Sequence, residues 1–224
     1  MKKVMILVSF SLSGCIGDDI LSDRIEAQLR LLNPIDTLAL GDSYQFELAY
    51  FNMTGVEENL QEMTWSSSAT EIISIDQQGI ALARREGRSI LTVAGTTIDG
   101  SMVATEWELV VGKSTILSGS ARKGKLTSTS SYLLTGDFQL SESTVGVALA
   151  FSDNYSASSA LPGLYLYLSN NPNSIDSAFE IGKVEIFEGM HHYEIKEVKI
   201  NDYAYLIYYC KPFQVKVGEG TFDN

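Results

Sequence analysis

Ile25-Glu26-Ala27-Gln28-Leu29-Arg30-Leu31 alternates side chains residue by residue, with Ile25, Ala27, Leu29 and Leu31 on one side and Glu26, Gln28 and Arg30 on the other. A period of two marks a β-strand with one buried face, whereas a helix repeats its apolar positions every three or four residues. Gln45-Phe46-Glu47-Leu48-Ala49-Tyr50 and Glu197-Val198-Lys199-Ile200 follow the same alternation. Short runs of this kind are separated by Gly, Asn, Asp and Ser, and no long amphipathic helical pattern competes with them. The chain therefore reads as all-β, with two tandem β-sandwich domains.

The 224 residues suffice for two such domains with buried cores, and 45% apolar with 20% charged residues is a globular balance. Sixteen Lys and Arg against 28 Asp and Glu give a net charge of −12. An acidic chain repels phosphate backbones, so no nucleic-acid partner is expected. Two histidines in all leave little material for imidazole acid–base or metal chemistry.

The first residues read as an address. Lys2 and Lys3 precede a short apolar stretch from Val4 to Leu12. As a helix, those nine residues would rise about 14 Å, far less than the ~30 Å of a bilayer core. A secretory signal is expected rather than a membrane span. The stretch ends in Leu12-Ser13-Gly14-Cys15, which resembles the lipobox of bacterial lipoproteins. That resemblance implies cleavage after residue 14, lipidation of Cys15 and a tether over 15–23. It also implies an outer-membrane lipoprotein, periplasmic or surface-exposed, held to the membrane by its lipid. Gly17-Asp18-Asp19 is similar to the surface-export signal of Bacteroidetes lipoproteins. Loss of residues 1–14, which carry Lys2 and Lys3 and no acid, leaves 14 basic and 28 acidic residues and a charge of −14. With Cys15 acylated, Cys210 is the sole remaining thiol, so no disulfide can form within the mature chain.

Residues 24–112 resemble the bacterial Ig-like domain, group 2. The resemblance runs through Gly41, Trp65-Ser66-Ser67-Ser68, Ile72-Ile73-Ser74-Ile75-Asp76 and Gln78-Gly79-Ile80-Ala81-Leu82-Ala83. It continues through Gly87, Ile90-Leu91-Thr92-Val93 and Leu109-Val110-Val111. It implies a spacer or adhesive module without catalytic residues, in which Trp65 is buried between sheets and Gly79 and Gly87 turn the chain. The segment Phe51 to Glu62 is long for such a domain and is read as surface variation, in preference to a contact loop. Leu40-Gly41-Asp42-Ser43 is similar to the nucleophile block of GDSL hydrolases. Those enzymes also need Asp-x-x-His, and neither His191 nor His192 has an Asp three residues before it. Gly41-Asp42-Ser43 is read instead as a turn opening a strand.

The domain boundary falls near Gly112 to Gly119, and the adjoining Gly119 to Ser131 is small, polar and basic; a solvated turn next to the junction is expected there, in preference to an anion site. Residues 115–224 resemble the DM-thirteen domain, a β-sandwich module associated with DOMON-type haem domains. The residues carrying the resemblance are Gly119, Leu161-Pro162-Gly163-Leu164-Tyr165-Leu166-Tyr167-Leu168-Ser169, Gly182, and Gly189 to Ile195. Tyr205 to Val215 with Gly218 completes it. Many members carry Asp where this chain has Gly163. The resemblance implies electron transfer or thiol redox chemistry at Cys210, with haem as the conceivable cofactor and an envelope or extracellular protein as partner.

From the residues themselves, Ala204, Leu206, Tyr208 and Cys210 share one strand face, and Tyr203, Tyr205, Ile207 and Tyr209 share the other. Both faces are apolar or aromatic, so the strand is expected to be internal and Cys210 to be a small buried hydrophobe. Pro212 ends the ladder nearby and offers the alternative of an exposed sulfur. Lys211 points to the opposite face. Met190, His191 and His192 are the other conceivable ligands, but adjacent strand residues face opposite ways, so a solvated histidine pair is expected. Seven of the eleven tyrosines follow residue 160 and are read as packing residues. Two functions remain: a redox carrier centred on Cys210, or a structural and adhesive lipoprotein that binds protein or glycan.

Overall fold

The computed structural model describes residues 23–222, in which there are strands and no α-helix. The expected signal peptide, the lipidation site Cys15 and the tether up to residue 22 lie outside the described residues.

The first unit contains β1 (Gln28–Leu31), β2 (Ile35–Ala39), β3 (Ser43–Gln45), β4 (Leu48–Phe51), β5 (Glu57–Glu58) and β6 (Gln61–Ser67). It continues with β7 (Ile73–Ile75), β8 (Ile80–Ala83), β9 (Gly87–Thr96), β10 (Met102–Gly112) and β11 (Ile116–Leu117). The main sheet has the order β11-β2-β10-β9-β6, and smaller sheets β3-β8-β7 and β1-β4-β5 accompany it. β2 and β10 run parallel; the other pairings of this unit are antiparallel. The unit reaches Leu117, past Gly112, because Ile116 and Leu117 add an antiparallel edge to β2.

Its core gathers Leu38, Ile73, Leu91, Val93 and Leu109 around Trp65, which is buried as expected. The Trp65 ring lies 6.4 Å from Phe46 and 6.1 Å from Trp107 between ring centres. Gly79 is required twice over. Its φ of +81° suits glycine, and a Cβ there would stand 2.8 Å from Trp65 Cζ2. The turn at Gly41 (φ +89°) delivers Ser43 to the start of β3, so the hydrolase-like tetrapeptide is a turn opening a strand.

The second unit contains β12 (Ala121–Ser128), β13 (Leu134–Ser143), β14 (Gly146–Phe151), β15 (Ser156–Ala157) and β16 (Leu164–Ser169). β17 (Phe179–Lys183), β18 (His191–Lys196), β19 (Tyr205–Cys210) and β20 (Val215–Phe222) complete it. These form one nine-stranded sheet of order β17-β16-β19-β20-β12-β13-β14-β18, with β15 beside β13. The sheet wraps around a single core, barrel-like, and its two outer strands β17 and β18 are consecutive in the chain. The connection between them, residues 184–190, closes the gap. Val184 N–H donates to Leu164 O at 2.9 Å, Ala157 N–H to Phe187 O at 2.8 Å, and Gly189 N–H to Tyr155 O at 3.0 Å.

The solvated turn expected over Gly119 to Ser131 is corrected: most of it is β12, an interior strand between β13 and β20. Gly124 and Leu126 are buried while Lys123, Lys125 and Thr127 are exposed, so the alternation is regular. It escaped notice because two of its inward positions, Arg122 and Gly124, carry no large apolar side chain.

Candidate functional site

Cys210 ends β19 opposite Leu164 and Val215 and is fully buried. It belongs to the cluster that contains Leu164, Leu166, Leu206, Tyr208 and Val217. Leu206, Tyr208 and Cys210 do share the inner face, and Ile207 is buried on the outer one. Pro212 leaves the sulfur sealed. Its ring instead covers Gly163, where a Cβ would stand 2.7 Å from Pro212 Cδ. The surroundings do not fit a haem: the sulfur is enclosed by packed core side chains, leaving no space for a macrocycle. No group of three or more His, Cys, Asp or Glu gathers at one point among the described residues.

Lys211, next in sequence, lies outside the sheet as expected. Its Nζ sits 3.8 Å from the Tyr165 ring centre and 2.7 Å from Glu180 Oε2, which also accepts from Tyr167 Oη at 3.1 Å. The hydrogen bond to Glu180 raises the Lys211 pKa, and the same bond lowers that of Glu180. Three of the late tyrosines and a lysine thus form one packed patch on the outer face, since Tyr209 lies edge-on to Tyr167 at 6.4 Å.

The histidines separate. His191 stacks on Phe151 at 4.7 Å and meets Tyr155 edge-on at 4.6 Å, while His192 points out to solvent. His191 is therefore half-buried in an aromatic cluster rather than paired in a solvated turn, which corrects half of that expectation. Its Nδ1 donates to Gly189 O at 2.9 Å. His191 Nε2, Tyr155 Oη and Tyr208 Oη are all sealed from solvent without a partner among the described residues. Burial pushes the Tyr155 hydroxyl up to about 12 and that of Tyr208 well above its usual value.

The most functional-looking surface is where the two units meet. Arg30 of β1 donates from Nη1 to Asn170 Oδ1 (2.8 Å), Asp202 O (3.2 Å) and Asn201 O (3.3 Å), and from Nη2 to Gln28 Oε1 (2.9 Å). Arg122 of β12 donates from Nη1 to Tyr203 O (2.8 Å) and Ile200 O (3.2 Å). Two guanidiniums thus hold the loop between β18 and β19. The buried Asn171 donates to Thr54 O (3.1 Å) and Asp23 O (2.6 Å), so the long segment after Phe51 serves as a contact loop onto the second unit. Asn201 Nδ2 reaches Leu32 O at 3.0 Å, and Lys199 pairs with Glu47 at 3.1 Å.

These contacts leave a cleft of about 860 Å³ whose lining includes Arg30, Arg122, Lys123, Asp36, Tyr205 and Asn201. Three cations there face one carboxylate. Burial, followed by repulsion from Arg122, pulls Arg30 down to about 10, and burial also lowers Arg122. Arg30, Arg122, Asn170 and Asn171 were not singled out from sequence. Arg30 looked like the wet side of an amphipathic strand, and Asn170-Asn171-Pro172-Asn173 has the composition of an ordinary turn. A comparison with protein-family models and a search of curated proteins both find no match to this chain.

Proposed function

We propose that the protein is a lipid-anchored module of the cell envelope, tethered through Cys15, which binds an extracytoplasmic partner at the junction of its two β-units. The junction is the observation that carries this reading. Buried asparagines and Arg30 lock one unit onto the other, and the locked arrangement exposes a cleft lined by charged, amide and aromatic side chains. Concave surfaces with a few convergent polar groups on a rigid scaffold are where ligands bind. A resemblance to adhesive Ig-like modules agrees with it.

A redox role at Cys210 draws less support. Thiol–disulfide exchange requires one sulfur to touch another, and the Cys210 sulfur is sealed within the barrel.

The test uses the chain from residue 16 onward, fluorescently labelled and titrated onto envelope fractions and exopolysaccharide of the producing bacterium. Saturable retention, competed by unlabelled protein and reduced by Asn171→Asp at the junction, is the expected result. Retention that stays unsaturated, or that is unaffected by every junction substitution, would overturn the reading.

A further inference from the structure

We propose that Arg30 and Arg122 form an oxyanion site in the junction cleft, taking the carboxylate or sulfate group of an anionic ligand. The inference deepens the binding-module reading and rests on it for taking the cleft as the contact face.

Charge is the first argument. The chain as a whole is strongly acidic, yet this cleft brings two guanidiniums together. Neither arginine has a carboxylate within ion-pairing distance among the described residues, whose ion pairs are Arg88–Glu108, Lys199–Glu47, Lys211–Glu180 and Lys216–Glu219. Asp202, whose charge acts on Arg30, has Oδ2 engaged by the Lys199 N–H at 2.7 Å. Asp36 accepts from the Ser118 hydroxyl. Two mostly buried guanidiniums repelling each other, with only neutral acceptors among the described residues, are an arrangement that an anion stabilises.

Geometry is the second. Arg122 uses Nη1 alone, which leaves Nη2 and Nε without an acceptor among the described residues; Arg30 leaves its Nε. Arg30 and Arg122 both line the cleft, so these spare nitrogens border it. Each guanidinium is also fixed in orientation by an aromatic ring, Arg30 over Phe51 at 4.5 Å and Arg122 over Phe222 at 4.9 Å. Planar forks held on rings and offering unused N–H groups suit bidentate recognition of an oxyanion.

The test is calorimetric titration of residues 16–224 with sodium sulfate and with sodium glucuronate, at ionic strength held constant with chloride. Saturable binding of either anion is expected, and the two arms distinguish a sulfate from a carboxylate source. Arg122→Gln is expected to weaken binding about tenfold, and Arg122→Lys to restore part of it, since charge returns without the fork. Should Arg122→Gln not fold, Arg30→Lys, which keeps the charge and removes the planar fork, carries the test, with a loss of about threefold. Absence of saturable binding by both anions, or unchanged affinity in folded variants, overturns the site. An envelope partner held equally by wild type and Arg122→Gln overturns the oxyanion site alone, whereas anion binding without any retained envelope partner overturns only the broader reading.

Discussion

Arg30 Nη1 and Asn170 Oδ1 stand 2.8 Å apart, joining the first strand of one β-unit to the loop that follows β16 in the other. The same guanidinium holds two carbonyls of the loop at Asn201 and Asp202, so a single side chain ties three segments together. Arg30→Ala is expected to cost about 2–3 kcal/mol and to free the two units to reorient. Urea unfolding reads the first effect and a rise in radius of gyration by small-angle scattering reads the second. An unchanged scattering curve with unchanged stability would mean that the asparagines suffice.

Cys210 is expected to resist aromatic disulfide reagents in the native protein and to react fully in denaturant. Cys210→Ser would place a hydroxyl without a partner in the apolar core and should cost about 1–3 kcal/mol. Cys210→Ala should cost about 1–2 kcal/mol through the cavity alone. Fast labelling of the native thiol would revive the redox reading.

Alkaline stability follows from the two sealed tyrosines. Their folded pKa values lie above the unfolded value near 10, with Tyr155 at about 12. Their contribution is therefore complete below pH 10 and is lost as pH rises toward and past 12. Unfolding free energy should fall by roughly 2–3 kcal/mol across that window on account of Tyr155. Arg30, whose pKa is lowered, acts in the opposite sense above pH 10. Urea melts at pH 8, 10 and 11.5 should show a net decline that Tyr155→Phe flattens.

Gly163→Asp is expected to destabilise by about 1–3 kcal/mol, since its Cβ would collide with the Pro212 ring. Combining it with Pro212→Ala should recover part of that loss. Additive costs in the double variant would place the strain elsewhere.

The strand alternation made the all-β class legible, and it did so where one face is apolar and the other wet. The burial of Trp65 was expected from the Ig-like resemblance rather than from the alternation itself. What the sequence hid is the junction. Period-two reasoning assigns Gln28 and Arg30 to solvent, yet that face of β1 meets the second unit, and nothing local to the strand announces a neighbour. β12 was hidden by Arg122 and Gly124 at inward positions. The resemblance drew attention to Cys210, whereas charge burial draws it to Arg30 and Arg122, and burial is a tertiary fact.

The pairing of β12 with β20 sets the order of folding. Gly124 faces Phe222, and Ser128 faces Gly218, so the first strand of the second unit is completed only by its last. Every intervening strand must be in place, or held open, while nearly a hundred residues of loop are closed, an entropic barrier paid before any return. A nascent chain thus cannot finish this half until residues 215–222 have left the ribosome. The second unit folds late and as a whole, and removing its last strand would strike the middle of the sheet rather than its rim.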